Sequence, residues 1–311
     1  RCESGDLTVL LGHSGAGKTT TLRMISGLES IDRGEIRIDG RVVNDEPARA
    51  RGTSMAFESY ALYPQLSVFE NMAFSFRLSA KREKKSKGED VRNRVREMAS
   101  LLEIDHLLDR LPRQLSGGQR QRVALGRTLV RDASVHLLDE PIAHLDAKLR
   151  HQLRGGLKHL QRGRGATTLW TTPDQLEAIA IADRVAVMNH GIMEQIGSPS
   201  ELYRHPKNEY VACSLGDPPM NLLPVSLSQA NGDMSFDFGG TSFPVSEGPG
   251  RSLTGLEGGR QVSIGIRPSD FSVQTVRPQD PSFESEVTVF EPLGHYGVLT
   301  ARCLENDLKV K

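Results

Sequence analysis

Cysteine is scarce in this chain: Cys2, Cys213 and Cys303 are the three among 311 residues. They are scattered, with neither disulfide nor metal-ligand spacing, so no cysteine framework organises the fold. A reducing cytosol is the simplest setting. No apolar run approaches the ~20 residues needed to cross a bilayer, so any membrane association must come through a partner. A signal peptide is missing too. Charge of one sign is not in excess, since 39 basic residues balance 39 acidic ones. That leaves no electrostatic footprint for nucleic acid or anionic lipid. Internal repeats and low-complexity tracts are absent, and the length suits one large domain with a second, smaller one.

The most informative segment is Gly12-His13-Ser14-Gly15-Ala16-Gly17-Lys18-Thr19-Thr20. It fits G-x-x-x-x-G-K-[ST], follows the apolar strand pattern Leu7–Leu11, and precedes an apolar-faced helix pattern over Thr21–Leu28. Glycines let successive N–H groups turn inward toward phosphate oxygens, and the helix N-terminus adds its positive dipole end. Lys18 is placed for the β- and γ-phosphates, and the Thr19 hydroxyl for Mg²⁺. The segment therefore implies a nucleoside triphosphate. A second cradle, Leu115-Ser116-Gly117-Gly118-Gln119, precedes a helix pattern over Arg120–Val130. A chain with two cradles either binds two nucleotides or lends one to a neighbour. Further on, Val135–Asp139 reads as an apolar strand ending in Asp139 and Glu140. This pair suits metal chemistry, Asp139 in the shell of Mg²⁺ and Glu140 orienting the attacking water.

Residues 117 to about 212 alternate between helix and strand patterns, including strands over Thr167–Trp170 and Arg184–Met188. Such alternation implies a mostly parallel sheet covered by helices. From about 65 to 116 the pattern is helical, with Val91, Val95, Met98, Leu101 and Leu102 on one face. Earlier, Glu35–Gly40 reads as a strand ending in a turn. The basic run Lys81–Lys87 reads as a solvated helix end or loop. After about 213 the texture becomes short alternating segments broken by Gly and Pro, such as Val262–Ile266 and Glu286–Val289. These predict a small antiparallel barrel.

In this order the motifs resemble those of the ATP-binding-cassette transporter ATPases, and most of all the maltose- and glycerol-phosphate-type importers. The resemblance extends over essentially the whole chain. Phe57–Pro64 is similar to that subgroup's Q-loop and Leu145–Arg150 to its D-loop. Gly197–Tyr203 with Pro218–Asn221 is similar to its interdomain junction, and Gly265-Ile266-Arg267-Pro268 to a strand of its second domain. The resemblance implies a P-loop (RecA-like) α/β domain over 1–212, with a helical subdomain near 65–116. An oligonucleotide/oligosaccharide-type barrel used for regulation and dimer contacts would follow over 213–311. It also implies ATP and Mg²⁺ as cofactors, with Thr19, Glu58 and Asp139 at the metal. Two ATPase subunits would face head to tail, so that Ser116, Gly117, Gly118, Gln119 and Asp146 complete the partner's site. Permease subunits would dock near Glu58–Pro64 at the cytoplasmic face of the membrane, serving a solute-binding protein indirectly. In that family, strands and an adenine-stacking aromatic lie upstream of the P-loop. Arg1 stands close to the P-loop strand and Lys311 ends inside another strand pattern, so the expectation is a fragment at both ends.

Departures from the family pattern gather at the γ-phosphate. Glu58 replaces the Q-loop glutamine, keeping a metal-ligating oxygen but losing a donor. Pro173 replaces the histidine that donates to the γ-phosphate, and proline has no donor at all. Losing one such donor typically slows hydrolysis by on the order of 10²–10³. Ala143 stands where the D-loop has serine, and His13 is unusual in the P-loop. His13, His136 and His144 fall at separate positions without a ligand pattern, and read as packing or solvated histidines. The leading expectation is an importer ATPase whose own site is weakened and which pairs with an intact second ATPase. The alternative is a regulatory subunit that binds nucleotide without hydrolysing it. A soluble cassette of DNA repair or translation is disfavoured, since the second-domain pattern is that of importers.

Overall fold

A computed structural model describes residues 1–80, 88–230, 233–238, 240–244, 261–273 and 282–311. The basic run Lys81–Lys87 lies outside them. Two compact units divide at Leu202/Tyr203, rather than near 212.

The first unit opens with β1 (Leu7–Leu11), buried along its whole length, and α1 (Lys18–Ser26). The helix begins three residues before the apolar pattern does. Gly17, at φ 97°, turns the chain into it, and Gly27, at φ 80°, ends it. A hairpin of β2 (Arg37–Ile38) and β3 (Arg41–Val42) comes next. Its ladder is shorter than the pattern over Glu35–Gly40 suggests. Asp39 and Gly40 take the turn at φ 52° and 76°, and Ile36 N–H is taken by Asn44 Oδ1 at 2.8 Å instead.

After β4 (Thr53–Ala56) come the helices α2 (Val68–Ala80) and α3 (Gly88–Leu101). Ser67 and Glu70 cap α2 reciprocally, at 3.0 and 3.2 Å, which satisfies two donors that a helix start leaves open. Val95, Met98 and Leu102 are buried, as the helical spacing requires. Next are α4 (Gly117–Leu129), β5 (Val135–Asp139), α5 (Ala147–Arg164) and β6 (Thr167–Thr172). The α5 helix buries Leu149, Leu153 and Leu157, a strict i, i+4 row, and closes at Gly165 in left-handed geometry. The unit ends with α6 (Gln175–Ile181), β7 (Arg184–Asn189), β8 (Ile192–Gly197) and the start of α7 (Pro199–Arg204).

The sheet runs β4-β5-β6-β1-β7-β8, parallel except for β8. Leu10, Leu22, Leu137, Leu169 and Met188 share one buried cluster between the sheet and α1. Full burial of such side chains stabilises by about 1.5–3 kcal/mol each. The parallel order puts the C-terminal ends of β1, β5 and β6 side by side, where ligands of open α/β sheets bind.

In the second unit, α8 (Glu209–Ser214) precedes an antiparallel sheet β11-β10-β9-β12. Its strands are β9 (Asn221–Ala230), β10 (Asp233–Phe238), β11 (Thr241–Pro244) and β12 (Gln261–Ile266). A second sheet joins β13 (Glu286–Pro292), β14 (Gly297–Cys303) and β15 (Asn306–Val310). Asn221 ties the sheets together, donating to Ile266 and Lys309 carbonyls at 3.3 and 2.8 Å and accepting from Lys309 N–H at 2.7 Å. The buried Arg267 donates to the carbonyls of Ala212 (3.0 Å), Tyr203 (2.6 Å) and Leu215, and lies over the Tyr203 ring. That clamp draws residues 203–215 into this unit, which is why the division falls before 212.

Candidate nucleotide and metal site

The P-loop fills the space between β1 and α1. A Cβ on Gly12 would sit 2.4 Å from the Met188 carbonyl oxygen, so only glycine lets the loop pass that close to β7. The loop is fastened to the β7–β8 turn by Gly191 N–H donating to the Ala16 carbonyl at 3.0 Å. His13 adds to this fastening, with Nε2 3.2 Å from Asn189 Oδ1 and its ring edge against His190. Ser14, Gly15 and Thr20 are exposed along the loop and the first turn. Gly17 supplies no side-chain cap to α1, which suits a helix start whose donors serve an anion.

Lys18 is buried, its Nζ donating to the carbonyls of Gly12 (2.8 Å) and His13 (3.1 Å) and lying 3.7 Å from Glu140 Oε1. Thr19 Oγ1 donates to Asp139 Oδ1 at 3.0 Å. The fold thus gathers Lys18, Thr19, Asp139 and Glu140 from α1 and the end of β5. Burial raises the Glu140 carboxyl; Lys18 pulls it back, and Glu58 and Asp139 push it up again. Glu58 itself is exposed, just past β4. The oxygen donors of Thr19 and Asp139 are hard and close together, and an acidic pair is present. This donor set fits Mg²⁺ in chemistry and charge.

Two residues with no motif to announce them complete the arrangement. Thr171 Oγ1 donates to Asp139 Oδ1 at 2.7 Å and accepts from Glu140 N–H at 3.1 Å. Gln121 Nε2, from α4, donates to the Glu140 carbonyl at 3.2 Å. The only signal for Thr171 is the β5–β6 register, which sets it opposite Asp139.

Ser116 is exposed at the start of α4, its hydroxyl and N–H both engaged with Gln119 at 3.3 and 2.8 Å. Gly117 and Gly118 form the first turn behind it. Asp146, exposed, caps α5 by accepting from Leu149 N–H at 3.0 Å. Pro173 stands exposed at the end of β6. Asp174 after it caps α6 and pairs with Arg154 (3.3 Å) and Arg150 (3.6 Å). The histidines have three separate settings. His13 is at the loop, His136 is buried on β5 and pushed down to about 4 chiefly by that burial, and His144 Nδ1 is 3.0 Å from the Tyr60 hydroxyl.

Behind this loop Glu177 is buried and accepts from Trp170 Nε1–H. Burial pushes its carboxyl from 4.5 up to about 7, partly offset by Trp170 and Arg154. The folded chain then keeps a proton that the unfolded chain has released. Stability is therefore full below about pH 4.5 and falls as pH rises to about 7, by about 3 kcal/mol for a gap of this size. Glu177→Gln is expected to remove that slope. Urea unfolding followed by circular dichroism at about pH 5 and about pH 8 measures it, and an unchanged slope in the variant would refute the assignment.

The family model described as "ABC transporter" matches residues 1–143, and that described as "MalK OB fold domain" matches residues 216–271. The chain is 44% identical over 305 residues to the xylose/arabinose import ATP-binding protein XacK of Haloferax volcanii, covering 98% of this chain and 77% of that one. It is 46% identical over 290 residues to the sn-glycerol-3-phosphate import ATP-binding protein UgpC of Cereibacter sphaeroides, covering 93% and 77%. Among solved structures it is similar to the ATP-binding cassette MJ0796, a dimer in a post-hydrolysis state bound to ADP and Pi. The TM-score is 0.58 at 29% identity, over 64% of this chain and 87% of that one.

Proposed function

We propose, starting from a chain that belongs to the ABC transporter ATPases, that it is the ATP-binding subunit of an importer for a sugar, a polyol or a sugar phosphate. The two relatives named above are ATP-binding proteins of xylose/arabinose import and of sn-glycerol-3-phosphate import, which supports that substrate class. The observation that carries the reading is the cluster of Lys18, Thr19, Asp139 and Glu140 within 3.7 Å links. Lys18 would exchange the carbonyls of Gly12 and His13 for the β- and γ-phosphates, and Glu140 would orient the attacking water. Thr19, Asp139 and Glu58 would hold Mg²⁺, which would supply positive charge against the phosphates.

Among the described residues no helix is long and apolar enough to cross a membrane. The importer reading itself, through its relatives, would set the chain at the cytoplasmic face, held by permease subunits that receive solute from a binding protein. The second unit would serve regulation and pairing. With Glu58 and Pro173 at its own site and an unaltered Ser116–Gln119, the chain fits one half of a mixed pair better than a self-paired dimer. Pro173 also favours the second reading, a regulatory subunit that binds ATP without hydrolysing it.

The deciding experiment reconstitutes the chain with candidate permease subunits and a second ATPase in vesicles. ATP-dependent uptake is then measured across a sugar, a polyol and glycerol phosphate. Uptake with coupled ATP turnover is the expected result. Nucleotide binding without uptake of any of the three would overturn the importer reading.

A further inference from the structure

We propose that Thr171 is a positioning residue of the metal–phosphate site, fixing together the Asp139 carboxylate and the Glu140 backbone. The inference rests on the reading of Lys18, Thr19 and Asp139 as an Mg-ATP site. Thr171 is wholly buried at the C-terminal end of β6, opposite Asp139 in the parallel register. A hydroxyl has one proton, and this one is spent on Asp139 Oδ1 at 2.7 Å. Its lone pair receives Glu140 N–H at 3.1 Å. The β-branch gives threonine a stiff χ1 in a strand, so the hydroxyl is held in one direction.

Thr19 donates to the same Asp139 oxygen at 3.0 Å, but the two threonines differ in what a cation does to them. Thr19, partly accessible, would turn its oxygen lone pair to a bound Mg²⁺, whereas the wholly buried Thr171 would have no such second duty. Its bond is the one that keeps Asp139 from swinging as Thr19 is recruited. The Glu140 end of the arrangement carries a separate demand. Glu140 sits at φ 44°, in the left-handed region that residues with a Cβ seldom adopt. Its peptide groups are held on both sides, the N–H by Thr171 and the carbonyl by Gln121. A fixed Glu140 backbone fixes the Cα–Cβ direction from which its side chain sets out.

Thr171→Val keeps the shape and removes the hydroxyl, whereas Thr171→Ser keeps the hydroxyl. The test measures ATP affinity of the full chain by calorimetry, first in excess chelator and then across an Mg²⁺ titration. Partners behind a metal's ligands typically change metal affinity by 10–100-fold. The Mg²⁺ concentration for half-maximal tightening should therefore rise about tenfold in Thr171→Val. Affinity in chelator should stay within about twofold, and Thr171→Ser should restore the Mg²⁺ midpoint to near the parent's. If the valine variant does not fold, Thr171→Ala serves in its place, lacking the hydroxyl and adding no bulk. An unchanged midpoint would overturn the proposal. So would equal losses with and without Mg²⁺, which mark a merely structural role, or a serine variant that behaves like valine. If the parent itself shows no Mg²⁺-dependent ATP binding, the nucleotide-site reading fails and Thr171 has nothing to position. A parent that responds to Mg²⁺ together with a valine variant at the parent's own midpoint removes this proposal alone.

Discussion

Lys18→Ala is expected to weaken ATP binding by on the order of a hundredfold. The Lys18 ammonium is buried inside the loop, already donating to two of the loop's own carbonyls. A triphosphate offers it charged acceptors instead, and charge-assisted bonds of that kind contribute about 1.5–3 kcal/mol each. Two of them correspond to the hundredfold or more. Removing the cation acts a second way, because Lys18 is what holds the Glu140 carboxyl down against its burial. Without it, Glu140 takes a proton more readily and serves poorly as the group that orients water. The N–H donors at the start of α1 survive the substitution, so residual binding is expected rather than none. Calorimetry of both proteins with ATP decides it, and equal affinities would contradict the role given to Lys18.

The second large effect concerns the mixed pair. Ser116→Arg should reduce ATP turnover of the reconstituted assembly by on the order of 10²–10³, the scale of losing preorganised groups at a transition state. The reason is spatial. Ser116 is exposed at a helix start, its hydroxyl and N–H engaged with Gln119, and in the proposed pair an arginine there would obstruct the site it completes on the partner. Glu140→Gln, by contrast, would on the proposed reading alter only the site to which Glu58 and Pro173 are assigned. It should change turnover by less than about threefold, the bulk coming from the partner's site. Pro173→His restores a donor and should raise turnover without a matching rise in uptake. The measurement is the ATPase rate of each assembled variant. Should Glu140→Gln stop hydrolysis as completely as Ser116→Arg, the site on this chain is essential and the asymmetric reading fails.

Much of this arrangement is legible in the sequence, for reasons that differ residue by residue. The strands β1 and β5 fall where continuous apolar runs put them, because a strand buried on both faces has no alternation to blur. The P-loop is legible because its glycines answer to backbone geometry, as the approach of Gly12 to the Met188 carbonyl shows. Helix starts are harder to read. Apolar periodicity begins at Thr21, but α1 begins at Lys18, since the turn that launches it is set by Gly17 and not by side-chain burial. Thr171 and Gln121 are invisible for another reason. Each acts through hydrogen bonds to residues far away in sequence, and a threonine at a strand end looks like ordinary β-propensity until the register with Asp139 is known. Asp146 shows a milder version, since its capping of α5 is hidden behind the motif it belongs to.

Trp170 is the single tryptophan of the chain. It lies in β6 next to Thr171, with its indole N–H on Glu177. Emission excited selectively from indole therefore comes from one address, the strand that ends at Thr172. A buried indole donating to a carboxylate differs in colour and yield from one facing a protonated acid, and Glu177 changes between those forms at about 7. The molecule thus carries its own optical gauge on β6, beside Thr171, readable without labels and most sensitive near neutral pH.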